Sequence, residues 1–305
     1  MRVVATRRLP GPAFEELGEV GIVPRDELGQ SDAEVLIVAN ETVDQRTLGL
    51  LPKLRLVANF GVGYDRIDVA ACRRRGVVVT NTPGVLDAAT ADLAMALLLA
   101  AQRLVVEGDR QVRAGAWRGG WADGTLAAEV TGSTLGIVGL GRIGAAVARR
   151  AAGFELRLLY TKRVRLDAAT EQVLGVEWCE LDDLLRGSDA VSLHVPRTPE
   201  TIGMLDARRL SLLHDGAVLV NTARAEVVER DALVRELVSG RLRAGLDVFW
   251  DEPNVPREVV ELPNVVLTPH VASATVETRG AMTRVLVDNV LAFLHGEPLP
   301  NEVVA

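Results

Sequence analysis

The sequence predicts an α/β protein made of two units of unequal length, each built on a parallel sheet. Three observations carry this. Short β-branched runs alternate with stretches of helical spacing along most of the chain. A strand, a glycine turn and a helix restart the alternation at Thr134. The 305 residues, 48% apolar and 25% charged, supply core for about two domains and exclude a largely disordered chain.

The first series has strand-like runs at Val3 to Ala5, Val35 to Ala39, Leu56 to Asn59 and Val77 to Thr80, with helical patterns between them. A helix is expected from Ala89 to about Glu107. Its segment LAMALLLAA is apolar on almost every side, so it should be buried against a domain or a second subunit. The stretch Arg113 to Thr131, with Trp117 and Trp121, breaks the pattern. The second series opens with the strand and turn TLGIVGLG and a helix from Arg142 to Gly153. Further buried strands are expected at Leu156 to Tyr160, Ala190 to His194, Ala217 to Asn221, Ala244 to Val248 and Val265 to Thr268. Five or six strands alternating with helices describe a Rossmann-type, doubly wound dinucleotide-binding domain. One long helix, Thr275 to His295, closes the series.

Composition excludes several function classes. With 41 acidic against 34 basic side chains and a net charge of -7, no basic surface offers itself to nucleic acid. The apolar run Ala94 to Ala101 is too short to cross a bilayer, and MRVVATRRLP lacks the apolar core and cleavage site of a signal peptide. A cytoplasmic protein without membrane partners is expected. Cys72 and Cys179 show no CxxC or Cys/His spacing, so neither a disulfide framework nor a metal site is predicted.

Residues Gly139, Leu140, Gly141, Arg142, Ile143 and Gly144 form GxGxxG between strand and helix. The first two glycines allow a tight turn and the approach of a pyrophosphate to backbone N–H groups; the third lets the helix pack on the strand. At the end of the next strand, where NAD-binding units usually carry an acidic residue for the ribose hydroxyls, the chain reads LLYTKRVR. Lys162 takes the acidic position, with Thr161 before it and Arg163 and Arg165 after it. A carboxylate would repel a 2′-phosphate, whereas Lys and Arg bind one, so NADP is expected over NAD. A solvated basic loop, with NAD still possible, is the competing reading.

The segments NTARAEVVE (Asn221 to Glu229), DVFWDEP (Asp247 to Pro253) and LTPHVASAT (Leu267 to Thr275), together with the glycine unit, resemble the signatures of the D-isomer-specific 2-hydroxyacid dehydrogenases. The resemblance extends to NFGVGYDRIDVAACRRRGVVVTNTPG (Asn59 to Gly84) and SLHVPRTPET (Ser192 to Thr201). It implies a discontinuous, flavodoxin-like substrate domain, residues 1–98 plus 284–305, with the dinucleotide domain 99–283 inserted.

Reducing a 2-keto acid moves hydride to a carbonyl carbon while the oxygen takes a proton, a task suited to histidine. By resemblance His270 is the acid/base, Glu252 its paired carboxylate and Arg224 the fork on the substrate's carboxylate and keto oxygen. Val195, Pro196, Thr201, Thr222, Ala223 and Ala272 fall where the family borders its cofactor, and Asp247 where a carboxylate meets the nicotinamide amide. Thr90 falls near the cofactor or caps its helix. Gly61, Val62 and Gly63 resemble the loop whose N–H groups hold the substrate carboxylate. Trp117 and Trp121 resemble a segment that in related dimers reaches toward the partner's active site; packing in the core is the alternative.

His194, at the end of a buried strand, is the rival acid, ranked below His270 on motif position. Ala225 stands where the family often has Gly, and Trp250 occupies a variable position that bears on substrate size. The implied activity is that of an NADPH-preferring reductase of glyoxylate or hydroxypyruvate, giving the D (R) 2-hydroxy acid, in a homodimer. The alternatives are a reductase of a larger 2-keto acid, such as an aryl pyruvate or 2-ketogluconate, and a dinucleotide-sensing protein without turnover.

Overall fold

The computed structural model describes residues 2–119 and 126–304. Its contacts form two units, Met1–Leu86 with Ser273–Ala305, and Asp87–Ala272. The second unit therefore lies, in sequence, inside the first.

In the first unit β1 (Val3–Ala5), β2 (Val20–Ile22), β3 (Val35–Val38), β4 (Leu56–Asn59) and β5 (Val78–Thr80) make a parallel sheet in the order β2-β1-β3-β4-β5. This is the flavodoxin-like order. β3 and β4 are buried at every residue, as strands covered on both faces must be. Asp44 caps α1 (Gln45–Leu50) by accepting from Thr47 N at 2.9 Å, and Asp68 caps α2 (Val69–Arg74) by accepting from Ala71 N at 2.8 Å. The C-terminal helix Val276–His295 starts on a Thr275 cap, stops at Gly296 with φ of 75°, and packs on β4 and the turn Pro12–Leu17. The tail then closes the β5 edge through a Thr80–Glu302 bridge and a Val303 N to Val79 O bond of 2.8 Å.

The second unit begins with α3 (Asp87–Gln102) and α4 (Val105–Arg113). Its strands are β6 (Thr134–Val138), β7 (Arg157–Thr161), β8 (Val176–Trp178), β9 (Ala190–Leu193), β10 (Val218–Asn221), β11 (Arg243–Leu246) and β12 (Val265–Leu267). All are parallel, in the order β12-β11-β10-β9-β6-β7-β8, so the chain reverses direction between β6 and β9. The connecting helices are α5 (Arg142–Ala151), α6 (Ala168–Leu174), α7 (Leu181–Arg186), α8 (Ala207–Leu210), α9 (Arg230–Val238) and α10 (Arg257–Val260). α3 packs on α5 and on β10 and β11, and Gly245 makes this possible: a Cβ there would come within 2.7 Å of Leu97 Cβ.

The structure departs from the sequence reading in three places. The helix expected from Ala89 to Glu107 is two helices bent by 62°, because Leu104 adopts a left-handed φ of 56°. α3 belongs wholly to the second unit and the C-terminal helix wholly to the first, so the breaks fall at 86/87 and 272/273 where 98/99 and 283/284 were expected. β2 and β8, each of three residues with partly exposed side chains, have no counterpart among the predicted strands. No single helix among the described residues is long and apolar enough to cross a membrane.

Candidate active site

The strand registers bring the sequence motifs to one edge of the second sheet. Val138 of β6 lies beside Thr161 of β7 and Leu193 of β9, Leu193 beside Asn221 of β10, Asn221 beside Leu246 of β11, and Leu246 beside Leu267 of β12. The residues that follow these strand ends are Gly139, Lys162, His194, Thr222, Asp247 and Thr268. The carboxyl ends at a strand-order reversal are where open α/β sheets bind ligands.

The glycine turn fits a dinucleotide. Gly139 has φ of 95°, and a Cβ on it would sit 2.6 Å from His194 O; a Cβ on Gly144 would sit 2.3 Å from Gly139 O. Both positions therefore require glycine for packing. Gly141 differs: its Cβ direction is open, with nothing within 4 Å, and as the residue before α5 it provides no side-chain cap. An uncapped ten-residue helix with open space at its N-terminus suits a pyrophosphate. Arg142 pairs with Asp87 at 3.3 Å, and Ile143 follows it in the first turn of α5. Thr90 is buried within α3, past its first residues, and so is not its cap.

The loop after β7 divides the predicted basic residues. Lys162 is half-buried at the strand end beside Thr161, Arg163 is exposed, and neither bonds to a partner among the described residues. Arg165 instead grips Glu171 with two hydrogen bonds of 2.8 Å and lies over the Trp178 ring. The fully buried Tyr160 donates its hydroxyl to the same carboxylate at 2.6 Å and accepts from Leu166 N at 3.0 Å. Arg165 first, and Tyr160 with it, hold the Glu171 carboxyl down to about 2. Arg165 thus shapes the loop that presents Lys162 and Arg163. Tyr160 and Glu171 were not singled out in the sequence because a tyrosine in a strand and a glutamate in a helix carry no motif.

Between β9 and α8, Thr201 Oγ1 donates to Pro196 O at 2.6 Å and accepts from Thr198 N at 2.8 Å, so its hydroxyl holds its own loop together. Val195 packs at Gly139, where its Cγ1 would lie 2.7 Å from a Cβ. After β10 the hydroxyl of Thr222 is buried without a hydrogen-bond partner among the described residues, an orphan that a bound group would satisfy. Asn221 brackets the turn, accepting from Ala223 N at 3.0 Å and donating to Arg224 O at 2.9 Å. Trp250 donates its indole N–H to Val228 O at 3.0 Å and packs on the second unit's core.

His270 and Glu252 meet. His270 Nδ1 lies 3.0 Å and 2.9 Å from the two Glu252 oxygens, and Glu252 also accepts from Phe249 N at 3.1 Å. The geometry makes Nδ1 the donor to the carboxylate and leaves Nε2 to exchange a proton. His270 has φ of 53°, uncommon for a residue with a side chain. Asp247 holds the segment in this form: its fully buried carboxylate accepts from Thr268 Oγ1 (2.6 Å), Val271 N (2.8 Å) and Ala272 N (2.9 Å). Burial pushes the Asp247 carboxyl up, against the pull of these hydrogen bonds and of His270. Asp247 therefore clamps both sides of His270, a role beyond the amide contact expected from the motif.

His194 is a poor acid by comparison. Burial pushes its imidazole down to about 4, and its Nε2 bonds to Ser192 Oγ at 2.8 Å. Trp117 is exposed, and Trp121 lies outside the described residues. In the first unit Gly61, Val62 and Gly63 form the turn after β4.

Residues 95–272 match the family described as "D-isomer specific 2-hydroxyacid dehydrogenase, NAD binding domain". The chain is 46% identical to the glyoxylate reductase of Pyrococcus furiosus over 99% of its own length and 95% of that protein. It resembles the crystal structure of an NADPH-dependent glyoxylate/hydroxypyruvate reductase from Sinorhizobium meliloti in complex with NADP and malonate (TM-score 0.87, 36% identity, 99% and 96% of the two chains). It likewise resembles the D-lactate dehydrogenase of Aquifex aeolicus complexed with NAD and lactic acid (TM-score 0.88, 29% identity, 100% and 99% covered).

Proposed function

Because the chain belongs to the D-isomer specific 2-hydroxyacid dehydrogenase family, we propose that it is a 2-keto acid reductase that prefers NADPH and forms the D (R) 2-hydroxy acid. Glyoxylate and hydroxypyruvate are its substrates on this reading, which the names of the similar reductases support. The observation that carries the reading is the His270–Glu252 pair, 2.9 Å apart and held by Asp247 at the edge where the dinucleotide turn also lies.

The dinucleotide, when bound, supplies the hydride. Gly139, Gly141 and Gly144 would hold it at their turn, with the uncapped N-terminus of α5 for its pyrophosphate and the unpartnered Thr222 hydroxyl as a further donor or acceptor. Arg224 binds the substrate's carboxylate and polarises its keto group, opposing the charge that gathers on oxygen. His270 delivers a proton from Nε2 to that oxygen while Glu252 keeps the ring in place and stabilises its protonated form. In the first unit, the Gly61–Gly63 turn offers N–H groups that suit a substrate carboxylate. A panel of 2-keto acids followed by NADPH absorbance tests the whole; NADPH binding without turnover of any acid would leave the dinucleotide sensor as the better reading.

Cofactor choice rests on Lys162 and Arg163, whose side chains make no hydrogen bond among the described residues, Arg163 sensing only the Glu200 charge, whereas Arg165 is committed to Glu171. Lys162→Asp should weaken NADPH relative to NADH by about tenfold or more, since one phosphate contact is lost and one repulsion gained. Equal preference before and after the change would remove the argument for NADP. A homodimer also belongs to the proposal. Its support is no longer α3, which is core, but Val105, Val112 and Trp117 on and after α4, all more than half exposed. Light scattering reads the mass directly.

A further inference from the structure

The turn after β4 has all three of its carbonyls tied to side-chain or backbone donors. Asn59 Nδ2 donates to Gly61 O at 3.1 Å and to Gly63 O at 2.9 Å, Asn81 Nδ2 donates to Val62 O at 2.9 Å, and Thr82 N donates to Gly61 O at 3.0 Å. In a planar trans peptide the carbonyl and the next residue's N–H point in opposite directions. Drawing these carbonyls toward the asparagines therefore turns the N–H groups of Val62, Gly63 and Tyr64 away from them. None of those N–H groups has a hydrogen-bond partner among the described residues. Successive free N–H groups in a turn make a concavity suited to an anion.

The asparagines are themselves anchored. Asn59 is buried at the end of β4. Asn81 donates its N–H to Asn301 O and accepts from Asn289 Nδ2, both at 3.3 Å, and the fully buried Asn289 accepts from Asn301 N at 3.0 Å. The final residues of the chain thus brace Asn81 against the turn.

We propose that Asn59 and Asn81 are positioning residues that preorganise the Gly61–Gly63 turn for the substrate carboxylate. This rests on the reading of that turn given above. An amide suits both sites because it donates to a carbonyl without adding charge. A carboxylate of the same shape would repel both the carbonyl and the arriving substrate.

The test uses the full chain with Asn81→Ala, Asn81→Asp and Asn59→Asp. With glyoxylate and saturating dinucleotide, KM should rise about tenfold in Asn81→Ala and further in the aspartate variants, with kcat changed by less than about threefold. Oxalate, titrated calorimetrically into the dinucleotide complex, should weaken in step with KM, while the dinucleotide's own Kd stays the same. Unchanged KM and oxalate affinity in Asn81→Ala would overturn the proposal. So would a joint fall of kcat, dinucleotide affinity and substrate affinity, the mark of general disruption. If Asn59→Asp does not fold, the half-buried Asn81 decides the matter alone. A wild-type protein that neither reduces a 2-keto acid nor binds oxalate would instead defeat the reading of the turn itself.

Discussion

His270→Ala is expected to lower kcat for 2-keto acid reduction by about 10³-fold, within the range for loss of a positioned general acid, and to leave dinucleotide affinity unchanged. The size of the effect follows from how much structure serves this one ring. Glu252 binds Nδ1 through both oxygens, Asp247 fixes the segment on either side of His270, and the backbone accepts a left-handed conformation to bring the ring to the strand edge. Burial holds His194 down to about 4, so it carries no imidazolium proton to give at neutral pH. Stopped-flow reduction with tryptophan-to-NADPH energy transfer separates chemistry from binding. A variant retaining kcat within tenfold of wild type would move the acid elsewhere, and His194→Ala would then be the next measurement.

The parts legible in the sequence are those in which chemistry dictates residue type. Gly139 and Gly144 have no room for a Cβ, so the turn shows itself as spaced glycines. Strands buried on both faces appear as apolar runs, and a restart of the strand–helix alternation marks the second unit. What the sequence hides is mostly polar support. Asn59 and Asn221 reach two residues ahead with no motif to mark them, whereas Asn81 pairs with Val62, 19 residues away, and Tyr160 with Glu171, 11 away, in a geometry that exists only once the strands are in register. The bend after α3 was equally invisible, because Leu104 is an ordinary helix former that tertiary packing places at positive φ. Arg165 shows the limit from the other side: its basic character was plain, but only the fold reveals that Glu171 already holds its guanidinium.

Arg224 carries the second large effect. The turn that presents it is fixed by Asn221, which bonds to both Ala223 N and Arg224 O, and Arg224 Nη1 donates back to Ala223 O at 2.8 Å. The arginine is thereby aimed by its own strand end. On the proposed role, Arg224→Gln would remove the charge that opposes the developing oxyanion and should lower kcat/KM by about 10³-fold, as loss of one member of a desolvated charge pair does. Arg224→Lys keeps the charge and loses the planar fork, so an intermediate fall of about 10²-fold is expected. The ordering matters more than either value. If lysine restored wild-type kcat/KM, charge alone would suffice and the bidentate assignment would fail. If both variants fell only through dinucleotide affinity, Arg224 would belong to the cofactor rather than to the substrate. Glyoxylate kinetics with dinucleotide Kd measured in parallel distinguish these outcomes, because a group that acts on the keto oxygen must change kcat as well as KM.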